Sequence, residues 1–459
     1  MIELGGSLES SVASPLQIEN HPEGKDITDS IPRHVGSIYE EESQKARESS
    51  FVGHEIELAK NSRTLAIFLM INTMIGSGVL NQPFVFASSG VVGALLGFSV
   101  ASVSMWYALV LLTESGITTN TPDYSSLSKV AFGDMGEQVI DIAIIVNGFG
   151  AILSYILLIG ELLSGMLISW GCESEFCGIY GISTFSVAVF VSPFCLQRHF
   201  GHLALISVLS ICAISLVMAL VIIGGPVTGQ QKGTSEGPVE VLHGEGFLES
   251  LGSIVFALNC VAANFQAFTS TDEVHRNLSS WKQITGTAIT VGTIMCMVMG
   301  ISGYLSFKDQ TDGDILTNFH APGFDFFKMM VVMHLICYIP VDFVVMRYSV
   351  VKIAIGQKAE NLATIYHLTL TLFMLGITLG TVLSLLATGM ASGEVFSLIL
   401  NLTGGVAGTI SSFVLPAAIY LKVMPTDSQY YTHAKALLAW GLILPVLVLT
   451  GTIRSFLRE

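Results

Sequence analysis

The fold turns on the stretch Asn72-Thr-Met-Ile-Gly-Ser-Gly-Val-Leu-Asn-Gln-Pro83. It sits inside the first long apolar segment, Thr64–Ala87. A helix that crosses a bilayer needs about 20 mostly apolar residues, with every backbone polar group satisfied. Here Gly76, Ser77 and Gly78 fall in mid-span, and Pro83 follows. Glycine eases departure from helical dihedrals, and proline removes an amide donor. The reading is two half-helices with free backbone between them. Non-helical backbone at membrane depth is tolerated where it lines a cavity or is buried in protein. The alternative is a continuous kinked helix packed through its small residues.

Bulk composition supports a membrane chain. Of 459 residues, 51% are hydrophobic and 12% charged, where a soluble domain carries about 25% charged residues. Mean hydropathy is +0.67. Apolar runs of span length point to helices. No cleavable signal peptide is visible, because residues 1–60 are polar throughout. That segment reads as a disordered acidic cytoplasmic tail, and residues 61–459 as one transmembrane domain. The net charge of −15 owes much to the tail and does not point to nucleic acid. There is no metal-ligand, nucleophile or phosphate-loop motif, so neither an enzyme nor a resident cofactor is expected.

Eleven spans are expected, in an all-α bundle: Thr64–Ala87, Val91–Thr113, Glu137–Ile168, Ile182–Leu196, Leu203–Gly224, Phe247–Phe268, Ile284–Leu305, Phe326–Val350, Leu362–Leu386, Val395–Lys422 and Leu437–Phe456. A short interfacial helix is expected within Thr118–Phe132, and a polar loop over Gly225–Gly246. With the N-terminus cytoplasmic, fifteen of the 20 Lys and Arg fall on the inner side, which fixes N-in and C-out (C-terminus extracellular or lumenal) by the positive-inside rule. Cys172 and Cys177 then lie in an outer loop, where either a small disulfide or two free thiols would fit.

Four stretches resemble the amino acid/auxin permease family. They are Asn72–Pro83; Tyr155 through Gly160-Glu161; Gly303 through Asn318; and Phe396 through Gly404-Gly405, Gly408-Thr409, Leu415-Pro416 and Tyr420-Leu421. The family includes sodium-coupled neutral amino acid transporters and vacuolar amino acid transporters. The resemblance implies a LeuT-like bundle of two inverted five-span repeats plus one helix, with spans 1 and 6 discontinuous. Span 6 has no Gly or Pro at its expected break, but it carries Asn259 and Asn264. Each is either part of a site or one half of an interhelical hydrogen bond.

The implied function is secondary active symport of neutral amino acids, with an amino acid substrate and the lipid bilayer as partners. The carboxylate of a zwitterion needs fixed donors, assigned to Gly76, Ser77 and Gly78 at a half-helix N-terminus. Its ammonium needs carbonyls, assigned to the span 6 break near Phe256 and Asn259. Sodium-coupled relatives use the Asn matching Asn72 and a span 8 Thr, whose position here is Tyr338. That loss weakens a sodium site. Asp342 and Glu161 are intramembrane carboxylates, functional candidates by default, so a proton is favoured over sodium as the coupling ion. A structural Asp342–Arg347 pair is the alternative for Asp342. An amino acid sensor that signals through the tail with little transport is the competing function. The membrane could be the plasma membrane or that of a vacuole or lysosome.

Overall fold

The computed structural model describes residues 61–197, 203–234, 237–242, 244–356, 359 and 362–457. The expected tail at residues 1–60 lies outside the described residues.

Helices account for nearly all of the described chain. They are α1 (Arg63–Met74), α2 (Gln82–Thr118), α3 (Tyr124–Ser169), α4 (Ile179–Cys195), α5 (Leu203–Lys232), α6 (Gly244–Leu258), α7 (Asn264–Ser270), α8 (Leu278–Phe307), α9 (Asp325–Ile355), α10 (Thr364–Leu386), α11 (Ser392–Val423) and α12 (Tyr431–Phe456). Among the described residues, nine helices are long and apolar enough to cross a membrane, while α1 and α4 are shorter. Leu96, Val103, Ile142, Ile223, Phe373 and Val446 stand exposed along these helices. An apolar exterior of this kind suits hydrocarbon rather than water, and the chain is a multi-pass integral membrane protein.

Local sequence sets the helix ends. Ser62, Asp123 and Asn277 cap α1, α3 and α8, accepting from Leu65 N, Ser126 N and Ser280 N respectively. Such caps satisfy amides that have no partner within the helix. Two continuous helices contain sharp corners at glycines in the left-handed region, Gly90 (φ 72°) and Gly133 (φ 66°). At Gly90 the corner frees the next two amides. Val91 N and Val92 N donate to the carbonyls of Glu240 and Val241, at 3.1 and 2.9 Å. A Cβ on Gly90 would stand 2.8 Å from the Leu242 backbone. Gly133 turns the expected interfacial helix into the long span that follows it.

One boundary needs correction. The polar loop expected at Gly225–Gly246 begins later, because α5 continues to Lys232 through Pro226. Packing overrides the local breakers here. Gly225 and Gly229 lie directly against Ser306 of α8, and a Cβ at Gly225 would be 2.7 Å from its Oγ. Lys232 Nζ then donates to Asn318 O at 2.7 Å.

Helices α3, α6 and α11 pack around the centre of the bundle. Gly150 of α3 meets Thr403 of α11, and Gly404 of α11 meets the Gly252 carbonyl of α6. Asn401 Oδ1 accepts from Gly252 N at 2.9 Å. Two π-helical segments, Thr403–Gly408 and Ile410–Val414, interrupt α11 at this contact. Such segments often mark functional sites.

Candidate functional site

Helix α1 ends at Met74. Ile75 (φ −85°, ψ 87°) and Gly76 (φ −129°, ψ −153°) leave the helical region, and a 3-10 turn over Ser77–Asn81 leads into α2. The quoted stretch therefore contains a true break. The opening amides of such a turn have no partner within it and suit an anion. Ser77 Oγ and Ser154 Oγ of α3 lie 3.0 Å apart. Gln82 Nε2 donates back to Gly78 O at 2.5 Å. Asn72 is buried in the last turns of α1.

The second break begins at the far end of the expected stretch near Phe256–Asn259, where Asn259 and Cys260 leave the helix. Phe256 remains helical, and its carbonyl accepts from Asn259 N at 3.2 Å. Helix α6 ends at Leu258, and a 3-10 turn over Val261–Ala263 precedes α7. No glycine or proline makes this break. Asn259 is instead held sideways: its Oδ1 accepts from Ser412 Oγ of α11 at 3.0 Å. Cys260 follows at φ −134°, ψ 7°. The first break packs against the last turn of α6, just ahead of the second. A Cβ on Gly78 would stand 3.1 Å from both Ala257 Cα and Phe256 Cδ1.

Tyr155 connects this centre to the expected coupling residues. Its hydroxyl lies 3.6 Å from where a Gly76 Cβ would be. The same hydroxyl donates to Asp342 Oδ2 at 3.2 Å, and the ring meets Tyr338 edge-on with centroids 6.0 Å apart. The Asp342–Arg347 pair does not form among the described ion pairs. Arg347 donates to Cys195 O, Gln197 O and Thr371 Oγ1.

Glu161 stands apart from this group. It lies six residues beyond Tyr155 on α3, roughly 9 Å along the axis, and accepts from Ser392 Oγ at the head of α11. Asn264 has a structural role, with Thr113 Oγ1 at 2.9 Å and Trp281 Nε1 at 3.0 Å. Cys172 and Cys177 are joined as a disulfide in the loop after α3, with Cα atoms 6.3 Å apart.

Sequence reasoning passed over Tyr155, Asn147, Ser154, Ser411 and Ser412 as site residues. Asn147 Nδ2 donates to Ser411 Oγ at 3.2 Å, extending the polar seam from α3 to α11. Their spacing held the signal. Asn147, Ser154 and Tyr155 recur at intervals that put them on one helical face, in a segment otherwise apolar.

Comparison with known proteins agrees with this architecture. The family profile described as "Transmembrane amino acid transporter protein" matches residues 59–455. A putative sodium-coupled neutral amino acid transporter 11 of Rattus norvegicus is 27% identical over 421 residues, covering 89% of this chain and 87% of its own. Vacuolar amino acid transporter 2 of Saccharomyces cerevisiae is 26% identical over 275 residues, 58% of this chain and 56% of its own. A manganese transporter from Eremococcus coleocola, solved with an aromatic bis-isothiourea compound, shares the fold at 12% identity, with a TM-score of 0.53 over 88% of this chain and 87% of that one. With a profile match spanning most of its length and two facing helix breaks at its centre, the chain belongs to the transmembrane amino acid transporter protein family.

Proposed function

We propose that the chain is a secondary active transporter of neutral amino acids, driven by proton symport, with eleven spans in two inverted five-span repeats plus one. The observation that carries this reading is the contact of the first break with the helix end that leads into the second, Gly78 against Phe256 and Ala257. A zwitterion between them would meet amide donors on the Ser77 side and acceptors near Asn259. Eleven spans follow if the helix from Ser77 to Thr118 is divided at Gly90, with α1 completing span 1 and α4 counted as a short span.

The charge around the site favours a neutral substrate. The Tyr155 hydroxyl lies beside Gly76 and donates to Asp342, and Arg347 is directed toward Cys195 and Thr371. A dicarboxylate would lack a cation there. A proton is favoured as the driving ion because the carboxylate of Asp342 stands one hydroxyl away from the break, and Tyr338 replaces the hydroxyl expected of a sodium site. The membrane is either the plasma membrane or that of a vacuole or lysosome; the name of one relative carries sodium coupling, and that of another the vacuole. The N-terminus is assigned to the cytoplasm by the distribution of Lys and Arg.

The test is uptake of each common amino acid into proteoliposomes, with sodium and pH varied independently. Accumulation of neutral amino acids that follows the pH gradient and survives replacement of sodium by choline supports the reading. Binding without accumulation, or collapse of uptake in choline, overturns it.

A further inference from the structure

A second cluster of carboxylates closes the end of the bundle that carries the Cys172–Cys177 loop. The segment from Lys308 to Asn318 leaves α8 and crosses the head of α11. Gly313 and Gly393 are in direct backbone contact, and Asp312 Oδ1 packs on Gly393. The neighbouring Ser392 donates to Glu161 of α3, and Asp314 and Asp312 both lie within electrostatic reach of Glu161. Asn81, the last residue of the span 1 turn, donates its Nδ2 to Gly313 O at 2.9 Å. Four elements therefore meet here: the turn after the break, α3, the head of α11 and the crossing segment.

The unmet atoms at this junction are all acceptors. Asp314 and Asn81 are both fully buried. Asp314 Oδ1 accepts from Leu316 N at 3.1 Å. Among the described residues, Asp314 Oδ2, Glu161 Oε2 and Asn81 Oδ1 are buried with no hydrogen-bond partner. Buried acceptors without donors are costly, and two nearby carboxylates cannot both remain ionised cheaply. The missing ligand is thus a positive one. No group of three or more His, Cys, Asp or Glu converges as metal ligands would among the described residues, which favours a proton.

We propose that Glu161 and Asp314 hold one proton between them, and that this proton latches the Lys308–Asn318 segment over the span 1 break. Burial first, and then the charge of Asp312, push the Asp314 carboxyl up to about 7, against the opposing Leu316 amide and Lys328. An Asp in an open, hydrated segment titrates near 4. The closed form is thus the one that holds the proton. Its advantage is complete below about pH 4, falls about tenfold per unit as pH rises, and is gone above about 7. The other charged groups facing the junction are Asp312, Asp325, Lys328, Lys232 and His320. His320 is held below its ordinary range by burial and by Lys232 and Lys328, so its titration is a competing source of pH dependence.

This inference does not depend on the substrate assigned above, and its test does not read transport. Hydrogen exchange of residues 311–319 is measured by mass spectrometry on the full chain in lipid nanodiscs, at about pH 5 and about pH 7.5, corrected for intrinsic exchange rates. The expected result is at least about tenfold more protection at the lower pH. Asp314→Asn should abolish that step, and Glu161→Gln, which leaves burial and Asp312 to hold the proton on Asp314, should shrink it, while His320→Gln should keep it. An equal corrected rate at both pH values overturns the latch. So does a step that survives Asp314→Asn, one undiminished in Glu161→Gln, or one that disappears in His320→Gln.

Discussion

Tyr155 of α3 and Asp342 of α9 are joined by one hydrogen bond, phenol to carboxylate, at 3.2 Å. It is the direct link between the Gly76 break and the acid that the sequence singles out for coupling. If a proton drives transport as proposed, its movement on and off Asp342 would be felt at the break through this phenol. Asp342→Asn keeps the shape and removes the exchangeable charge. The expected outcome is retained exchange of substrate for substrate, with no uphill accumulation driven by pH. Tyr155→Phe keeps the ring against Tyr338 but deletes the donor. A hydrogen bond to a charged group contributes about 1.5–3 kcal/mol, so initial uptake should fall by about tenfold or more. Uphill accumulation by Asp342→Asn would remove the acid from the mechanism.

Substitution at the two glycines of the break should separate. A Cβ at Gly78 meets Ala257 Cα and Phe256 Cδ1 at 3.1 Å, whereas one at Gly76 meets Tyr155 Oη at an ordinary 3.6 Å. Gly76 is also in an extended conformation open to any residue. Gly76→Ala should therefore reach the membrane with uptake reduced only by crowding near Tyr155. Gly78→Ala should be worse, and both Val variants should abolish uptake. Surface labelling against radiolabelled uptake checks this, and near-normal uptake by a well-expressed Gly78→Val protein would remove the carboxylate site.

The first break was legible in sequence because Gly76, Ser77 and Gly78 come in succession inside an apolar run, where three weak helix formers together loosen the helix locally. The second was only half legible: no glycine or proline marks it, and of the stretch expected near Phe256–Asn259, Phe256 stays helical while Asn259 leaves the helix. A side chain in another helix, Ser412, holds Asn259 out of helical register, and single-sequence patterns carry no such long-range contact. The extension of α5 through Pro226 was hidden for the same reason, since it depends on glycine packing against Ser306. Glu161 and Asp342 both stood out as intramembrane acids. Only the fold separates them, one beside the breaks and one beneath the loop that follows α8.

The two asparagines of span 6 should give opposite phenotypes. Asn259 lies at the break and makes one side-chain bond, to Ser412. Asn259→Ala should raise the half-saturating substrate concentration with a stability loss of about 0.5–1.5 kcal/mol. Asn264 joins Thr113 to Trp281. Asn264→Ala leaves two buried groups unsatisfied, at about 1–3 kcal/mol each, and should lower heat resistance while leaving half-saturation unchanged. A thermal challenge followed by size-exclusion chromatography, run beside uptake kinetics, distinguishes them. Equal effects on half-saturation would place both in the site or neither.

Helix α9 is anchored at the opposite end of the bundle by Lys352. Its ammonium is 2.7 Å from Glu137 Oε1 and 3.0 Å from Asp141 Oδ2, both on α3, and it donates to Ser125 Oγ at 2.6 Å. The Asp141 side chain is 4% exposed, so its charge depends on this partner. Removing one member of a buried pair costs about 3–5 kcal/mol, mostly because the other charge is stranded, whereas replacing both can be nearly neutral. Lys352→Met should thus reduce heat resistance sharply. Asp141→Asn should cost less, because Glu137 still holds the ammonium. The double variant Asp141→Asn/Lys352→Met should recover much of the loss seen in Lys352→Met alone. Additive losses in the double variant, measured by the same thermal challenge, would mean that Asp141 and Lys352 contribute independently and that the ammonium's partner on α3 is Glu137 rather than Asp141.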